Sequence, residues 1–516
     1  SLAQEDKLIT LLKSDAPLKE KADACRELAH LGTAQAVPIL APLLLDEKLS
    51  HMARYALEPI ADPSVDTELR NALGKLKGPL LVGVIDSLGF RKDEQAIEPL
   101  AKLLTDADPV VAQAAAWALG SIGDAAVQVL EDALLNGSPA NRLAVCEGLF
   151  CCAEAMTGTD ATAIYDKVRM LPNLPHRVRL AALRGAILSR GADGVPLLVE
   201  TIRAESDVLS ADAMGISMEM SGEDVTMAMA RELSQANQQK RLLLLQTLGY
   251  RGDPAAAPAI VPLAQTGSTI QRIAAIRSIV QLGDPSSIPV LVALVKDAEA
   301  TVSSAAQIGL VGLPGKEADA AVVALLNDPD AKTRITAIEM AGQRRIAAAV
   351  QPLLKATGDA DADVVSAGFK TLGELAGAAE IPDMVDAMLK TKAVAAAETA
   401  LSAICARQPD TTMCTDKLLS GHAHAQGEPK LALLRVLRTV GDPQALAAVR
   451  AAAAEPDKSV RETALRAICD WPTVDALPEL DQIARTSEDT KFRILALRGQ
   501  LRLIPTQTVP DAKKVS

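Results

Sequence analysis

The chain has 516 residues, of which 49% are hydrophobic but only 2% aromatic, and its formal net charge is −12 at pH 7. A single globular core rarely reaches this length, whereas an array of repeats can, because each unit contacts only its neighbours. The acidic balance argues against a nucleic-acid partner, since such binders normally show a basic face. No apolar run reaches the length of a membrane span.

Pairs of helices are predicted along the whole chain, with a period of about 31 residues. In each pair a first helix ends at a tight turn that usually contains glycine. The second helix that follows often carries a proline in its first turn, where no hydrogen bond is lost. About sixteen first helices are predicted, which begin near Glu20, Leu49, Gly78, Pro109, Pro139, Pro175, Asp207, Asn237, Thr269, Ala300, Ala331, Ala362, Lys392, Glu428, Lys458 and Asp489.

Residues 268–295 show the unit most clearly. The first helix carries an apolar stripe at helical spacing, formed by Ile270, Ile273, Ile276 and Val280. The second helix offers a matching apolar face, formed by Ile288, Leu291, Val292 and Val295. Neither helix can bury its face alone, so we expect copies of the unit to stack on both sides.

The turn between these two helices has a recognisable chemistry. Gly283 stands where a left-handed residue ends a helix at least cost. Asp284 can accept hydrogen bonds from the free N–H groups of the second helix, and Pro285 suits its first position. Asp253 and Asp442 stand at the same place in other units, and we interpret all three aspartates as helix caps without a catalytic role.

The predicted array is continuous over residues 1–504. Irregular insertions are expected near 156–177 and 420–429, and residues 505–516 lose the pattern and are expected to form a linker or tail. The last helix is rather apolar for an end cap, which should show a polar outer face. We therefore expect the natural chain to continue beyond Ser516.

Units such as 109–135 and 458–469 resemble HEAT repeats, and most of all the short bacterial kind first named for bilin lyases. The resemblance covers nearly the whole chain. It implies an all-α fold, a right-handed α-solenoid (superhelix) of about 16 helix pairs, which serves mainly as a binding scaffold. The alanine-rich, aromatic-poor pattern is also similar to secreted bacterial proteins in which such an array precedes another domain.

Some proteins that resemble these repeats are enzymes. Deoxyhypusine hydroxylase binds iron through His-Glu pairs, and none of the five histidines here is followed by Glu. The HEAT-like alkylpurine glycosylases use a basic cleft with aromatic residues, which the acidic charge and the two tryptophans disfavour. A bilin-lyase-like or other small-molecule-handling enzyme remains the alternative, although no residue marks a chromophore site.

One position in each first helix, seven residues before the turn, varies and is mostly polar or large, so it should face outward. If these helices line the concave side, the position forms a ladder of side chains roughly 8–10 Å apart. Its predicted members are Arg26, Tyr55, Asp86, Trp117, Glu147, Arg184, Gly215, Gln246, Arg277, Gly309, Glu339, Lys370, Ser402, Arg435, Arg466 and Arg498.

Seven ladder residues are the candidate binding residues on the concave face: Arg435, Arg466, Arg498, Lys370, Arg277, Trp117 and Tyr55. The consecutive arginines predict a basic strip that holds carboxylate or phosphate groups through paired hydrogen bonds. The alternative is that each arginine pairs with a carboxylate of the next repeat. The two aromatic residues are either binding anchors or lids over the core.

The seven cysteines leave the redox compartment open. Cys405 and Cys414 lie nine residues apart, across a predicted turn, and form either a disulfide or two buried thiols. Cys151 and Cys152 are expected to be core thiols.

The small residues among the first three positions fit a cleaved secretion signal, or nothing more than the place where the sequence begins. We expect a periplasmic or secreted protein, with the cytoplasm as the alternative.

No catalytic motif is present, and we expect no cofactor and no metal. His422 and His424 are interpreted as an exposed histidine pair in a loop, because a metal site would need a further ligand. A cluster of methionines over residues 214–229 is interpreted as core filling, with a copper(I) site, and hence a metal-handling role, as the alternative. The predicted function is therefore a non-catalytic interaction scaffold that binds a protein or an acidic ligand. The sequence does not reveal its oligomeric state.

Overall fold

The computed structural model describes residues 2–136, 141–156 and 159–506. These residues form 32 α-helices joined by turns and short 3-10 segments, and they contain no β-strand. The chain divides into two compact units, Ser1–Thr247 (unit 1) and Leu248–Ser516 (unit 2). Each unit is a stack of helix pairs, so the prediction of an all-α solenoid is confirmed.

The division between the units falls inside one helix. The helices up to that point are α1 (Leu2–Lys13), α2 (Leu18–Leu31), α3 (Val37–Leu40), α4 (Ser50–Leu57), α5 (Pro63–Leu73), α6 (Gly78–Phe90), α7 (Ile97–Leu103), α8 (Pro109–Ile122), α9 (Val127–Asn136), α10 (Arg142–Ala155), α11 (Thr159–Arg169), α12 (His176–Leu188), α13 (Val195–Arg203), α14 (Asp207–Ser217), α15 (Glu223–Glu232) and α16 (Gln238–Arg251), which contains the division.

The remaining helices all belong to unit 2. They are α17 (Ala257–Thr266), α18 (Thr269–Leu282), α19 (Ile288–Leu294), α20 (Ala300–Gly312), α21 (Lys316–Leu325), α22 (Ala331–Gln343), α23 (Val350–Ala356), α24 (Ala362–Leu375), α25 (Ile381–Lys390), α26 (Val394–Ala406), α27 (Thr412–His424), α28 (Gly427–Val440), α29 (Pro443–Ala452), α30 (Lys458–Cys469), α31 (Leu477–Thr486) and α32 (Thr490–Leu503).

The even-numbered helices are the predicted first helices, and each begins within three residues of its predicted start. In most layers they contact one another more extensively than the odd-numbered helices do. Small residues permit this: a Cβ at Gly120 would stand 2.6 Å from the carbonyl oxygen of Gly148, and one at Gly373 would stand 3.0 Å from Cα of Ala400. That these helices line the concave side stays a prediction, and the solvent-facing side of the even-numbered helices is called the inner face below.

Arginine side chains join successive even-numbered helices; Arg91 and Arg344 are half-buried, and Arg407 and Arg502 are exposed. Each stands at or near the end of its own helix and donates to carbonyl groups in the last turn of the even-numbered helix before it, or up to three residues beyond that helix. Those carbonyls have no partner within their own helix. The contacts are Arg91 Nη1 to Ile60 O (2.7 Å), Arg344 Nη1 to Leu310 O (2.6 Å), Arg407 Nη2 to Ala376 O (3.0 Å) and Arg502 Nη2 to Trp471 O (2.7 Å).

The turn chemistry agrees with the prediction in most respects. Gly283 has φ = 66° and ends α18 in the left-handed conformation. Asp253, Asp284 and Asp442 each accept a hydrogen bond from a backbone N–H two or three residues later. After Asp284, however, a 3-10 turn over Pro285–Ser287 comes before α19. The aspartate and the proline therefore start that turn instead of the α-helix itself.

The apolar stripe predicted for α18 is partly wrong. Ile276 is buried, but Ile273 and Val280 are only half-buried and Ile270 is 58% exposed. An even-numbered helix packs against its pair and against two neighbours, so its buried face is wide and does not follow a single stripe. The large residues buried on α18 are Ile276, Ile279 and Leu282.

The two predicted irregularities contain regular helices. Helix α11 lies inside the first of them, and the second begins within α27. Residues 157 and 158 lie outside the described residues, and so do 507–516 of the predicted tail. That residues 1–504 form one continuous array stays a prediction. Of the helices that the structure describes, none combines the length and the apolar character that crossing a membrane requires.

Candidate binding surface

The predicted ladder lies on the even-numbered helices, where all but one of its sixteen members are exposed or half-buried. The exception is Gly309 of α20, which is buried because its Cα approaches Val280; a Cβ there would stand 2.8 Å from Val280 Cγ2. Ile308 takes the outward position and is 70% exposed. The ladder register was therefore wrong by one residue in this layer.

Basic side chains without ionic partners mark the ladder in unit 2. Arg277, Lys370, Arg466 and Arg498 are all exposed, and none forms an ion pair within residues 2–136, 141–156 and 159–506. Glu339 is the only acidic ladder residue in this unit. This part of the inner face therefore offers positive charge in a chain that is acidic overall.

Arg435, between Lys370 and Arg466 on the ladder, is different because it is fully paired. Its Nε and Nη2 donate to the two carboxylate oxygens of Glu398, each at 2.8 Å, and Nη2 also donates to Glu428 at 2.6 Å. These hydrogen bonds raise the pKa of Arg435 above its usual value. Its charge is therefore neutralised within the protein.

Aromatic residues occupy the ladder in unit 1. Tyr55 is 43% exposed and Trp117 is 47% exposed, so each covers the core with one part and faces solvent with another. Trp117 Nε1 donates to Glu147 Oε2 at 3.2 Å. Asp86 stands on the helix between them, and burial raises its pKa although Arg54 is nearby. Aromatic faces beside carboxylates can receive a cationic or apolar side chain.

A groove that the sequence did not reveal lies between α18 and α20, with a volume of about 750 Å³. Its lining residues include Ile273, Ile276, Arg277, Val280, Gln281, Thr301, Ser304, Ile308, Gly309 and Gly312. The sequence signal that could have located the groove is the pair Gly309 and Gly312 in α20. Each stands 31 residues from a larger residue in both adjacent layers.

The candidate disulfide residues meet in the structure. Cys405 and Cys414 are both buried free thiols, and each affects the pKa of the other. Burial raises the pKa of both thiols. The disulfide stays a prediction. Cys152 is a core thiol as expected, but Cys151 is exposed, and the prediction for it was wrong.

The histidine pair does not lie in a loop. His422 and His424 belong to the last turn of α27, because that helix continues into the segment predicted to be irregular. Burial lowers the pKa of His422, and Lys430 lowers it further. Among the residues that the structure describes, no group of three or more His, Cys, Asp or Glu side chains could hold a metal ion.

A comparison with protein families decides what kind of repeat this is. The family described as HEAT repeats matches residues 69–149, 226–311, 318–404 and 415–499, which together make up more than half of the chain. The chain belongs to the HEAT-repeat family. The matched segments include the layers that carry Trp117, Arg277, Lys370, Arg466 and Arg498, so these candidate residues stand within HEAT repeats.

Solved structures give similarities of fold at low sequence identity, and a search of curated proteins finds no match. Kap121p bound to Nup53p is 12% identical, with a TM-score of 0.44 over 98% of this chain and 69% of that chain. Kap121p bound to the extreme C-terminus of the protein phosphatase Cdc14p is 13% identical, with a TM-score of 0.44 over 98% and 70%. Importin beta in an ammonium sulfate condition is 12% identical, with a TM-score of 0.36 over 96% and 82%.

Proposed function

We propose that this HEAT-repeat chain is a non-catalytic scaffold that binds a protein partner, or another acidic ligand, on the inner face of its even-numbered helices. One observation carries the proposal: four exposed basic residues on that face in unit 2 have no ionic partner among the described residues. The chain has 65 acidic and 53 basic residues, so potential partners are in excess. Cations left unpaired under such conditions are available to a ligand.

The spacing of these residues suits an extended acidic partner. Arg466 and Arg498 stand on neighbouring even-numbered helices, α30 and α32, whose axes should lie roughly 8–10 Å apart. An arginine can bind a carboxylate through two parallel hydrogen bonds, and each such contact adds geometric selectivity as well as affinity. A row of like charges also attracts an oppositely charged partner before contact and so raises the association rate.

A pull-down from native extract tests the proposal. The baits are the wild-type chain, an Arg466→Glu/Arg498→Glu variant and a control Lys355→Glu/Lys390→Glu. The control makes the same change in net charge at exposed residues of the odd-numbered helices α23 and α25. We expect a partner that the wild type and the control retain and that the inner-face variant loses.

Three other results would contradict the proposal. Equal loss in both variants would mean that net charge alone controls binding. Equal retention by all baits would move the site away from the C-terminal part of the ladder. A chromophore with visible absorbance in the purified protein would favour the alternative, a bilin-lyase-like enzyme that holds a small molecule on the same face.

We also propose a periplasmic or secreted location and repeats of the short bacterial kind. The Cys405 and Cys414 thiols support the location, because each affects the pKa of the other and an oxidising compartment could join them. Mass mapping without reduction, on protein from its native source, should find a peptide that links the two. Free thiols at both positions would favour the cytoplasm.

A further inference from the structure

We propose that the groove between α18 and α20 binds a segment of a protein partner in which aliphatic side chains stand beside a carboxylate. The inference rests on the proposed scaffold function, since the groove lies on the same inner face. It specifies where on that face the ligand binds and which chemical groups the ligand carries.

Two glycines of α20 shape the groove, since Gly309 lets α20 lie close to α18 and Gly312 leaves the space beside it open. Gly309 stands 31 residues from Ser278 and Met340, which occupy the matching buried positions of the adjacent even-numbered helices. Gly312 stands in the same way between Gln281 and Gln343. A Cβ at Gly312 would meet no atom within 4 Å, so the space beside it is open.

The groove exposes aliphatic surface to solvent. Ile308 is 70% exposed at one side, and Ile273 and Val280 are half-buried along the other. Ile270 extends the same stripe of α18 and is 58% exposed. Exposed aliphatic residues that gather around a concavity of this size are typical of a binding site, because a ligand that covers them removes apolar surface from water.

Arg277 gives the groove its preference for acidic ligands. It stands between Ile273 and Val280 on α18, lines the groove, and has no ion pair among the described residues. Apolar neighbours strengthen a hydrogen bond from a guanidinium to a carboxylate, because they exclude part of the competing water. Thr301 and Ser304 line the groove as well and can bond the polar backbone of a bound segment.

The open form of the groove favours a protein segment over a free fatty acid. A ligand on the surface of two helices keeps one side in water. A peptide can present polar backbone and side chains on that side, whereas an acyl chain would leave apolar surface exposed there. The excess of positive charge along the unit 2 ladder further favours an acidic segment over a basic one.

Fluorescence anisotropy with short labelled peptides tests the inference. The probe is a peptide of leucine and glutamate, and its controls replace either every leucine by serine or every glutamate by lysine. The proteins are the full wild-type chain, Gly312→Gln, Arg277→Gln and, as a control that also removes one positive charge, Lys355→Gln on the odd-numbered helix α23. Gly312→Gln places in α20 the residue type that α18 and α22 carry at the matching position, where the structure leaves room for it.

We expect the wild type and Lys355→Gln to bind the leucine–glutamate peptide equally and at least ten-fold more tightly than either control peptide. Gly312→Gln should weaken binding about ten-fold or more, because its side chain fills the groove. Arg277→Gln should weaken it about ten-fold and remove most of the preference for glutamate over lysine, as loss of a charge-assisted pair implies.

Two results would overturn the inference. One is equal binding of the leucine–glutamate peptide by the wild type and Gly312→Gln. The other is displacement of the peptide by decanoate together with no selectivity among the three peptides, which would indicate an acyl site. The scaffold proposal is tested separately, by the pull-down with the Arg466→Glu/Arg498→Glu bait and by the visible absorbance of the purified protein.

Discussion

Replacement of Arg344 by methionine should loosen the stack at one place. The Arg344 side chain is only 8% exposed. Its Nη1 donates to Leu310 O at 2.6 Å and to Val311 O at 3.0 Å, and its Nε donates to Asp319 Oδ1 at 2.8 Å. Methionine keeps most of the aliphatic packing and removes every donor.

The expected loss in free energy of unfolding is about 3 kcal/mol. Each carbonyl left without a donor costs roughly 1 kcal/mol, and the unpaired Asp319 costs less than a buried carboxylate because its side chain is 38% exposed. Arg466→Met is the matched control, since Arg466 is exposed and unpaired among the described residues. It should change the free energy by no more than about 0.5 kcal/mol.

Hydrogen exchange followed by mass spectrometry, beside urea unfolding, measures both the size and the place of the effect. Because each repeat contacts only its neighbours, faster exchange should appear in α20 and α22 and fade over the next layers. A loss below about 1 kcal/mol, or faster exchange spread evenly over unit 2, would show that water replaces the arginine and would refute the reasoning.

Three further predictions concern single residues. Gly283→Ala should cost about 1 kcal/mol in urea unfolding, because φ is +66° there, whereas Gly312→Ala, at a helical position with open space, should gain roughly 0.5 kcal/mol. Iodoacetamide should label Cys151 alone in the native reduced protein, since the other six thiols are buried; rapid labelling of a second thiol would contradict the structure. The hydrogen bond from Arg272 lowers the pKa of Asp297, so the stability it contributes is present above the unfolded pKa of about 3.9 and is lost as the pH falls through the folded value. Asp297→Asn should therefore make the unfolding free energy fall less steeply with decreasing pH below about pH 4. An unchanged fall would show that the pair of Arg272 and Asp297 does not contribute to stability.

The helices could be predicted because the signals that start and end them are local. The glycine at position 283 and the aspartate at 284 determine the end of α18 and the following turn with no help from distant residues. The period of about 31 residues then repeats the argument along the chain. For this reason the predicted starts of the even-numbered helices agree with the structure to within a few residues.

The surface was harder to predict because it depends on how neighbouring layers meet. Ile270 looks like a core residue by its spacing, yet it faces solvent. A shift of one residue exchanged Gly309 for Ile308 on the ladder. The pairing of Arg435 with Glu398 joins residues 37 positions apart, and no local pattern announces it. The two histidines of α27 were assigned to a loop because their helix runs on past the point where the repeat pattern weakens.

The arginines that join successive layers have a consequence for how this protein can change over time. They bind main-chain carbonyls, which are present whatever side chain a residue carries. The side chains on the inner face therefore contribute little to holding the layers together. Ladder residues of successive layers, such as Ile308, Glu339 and Lys370, can for this reason differ in chemical character. A lineage with this architecture could exchange one partner for another through single substitutions on the inner face, while its foldability stayed nearly constant.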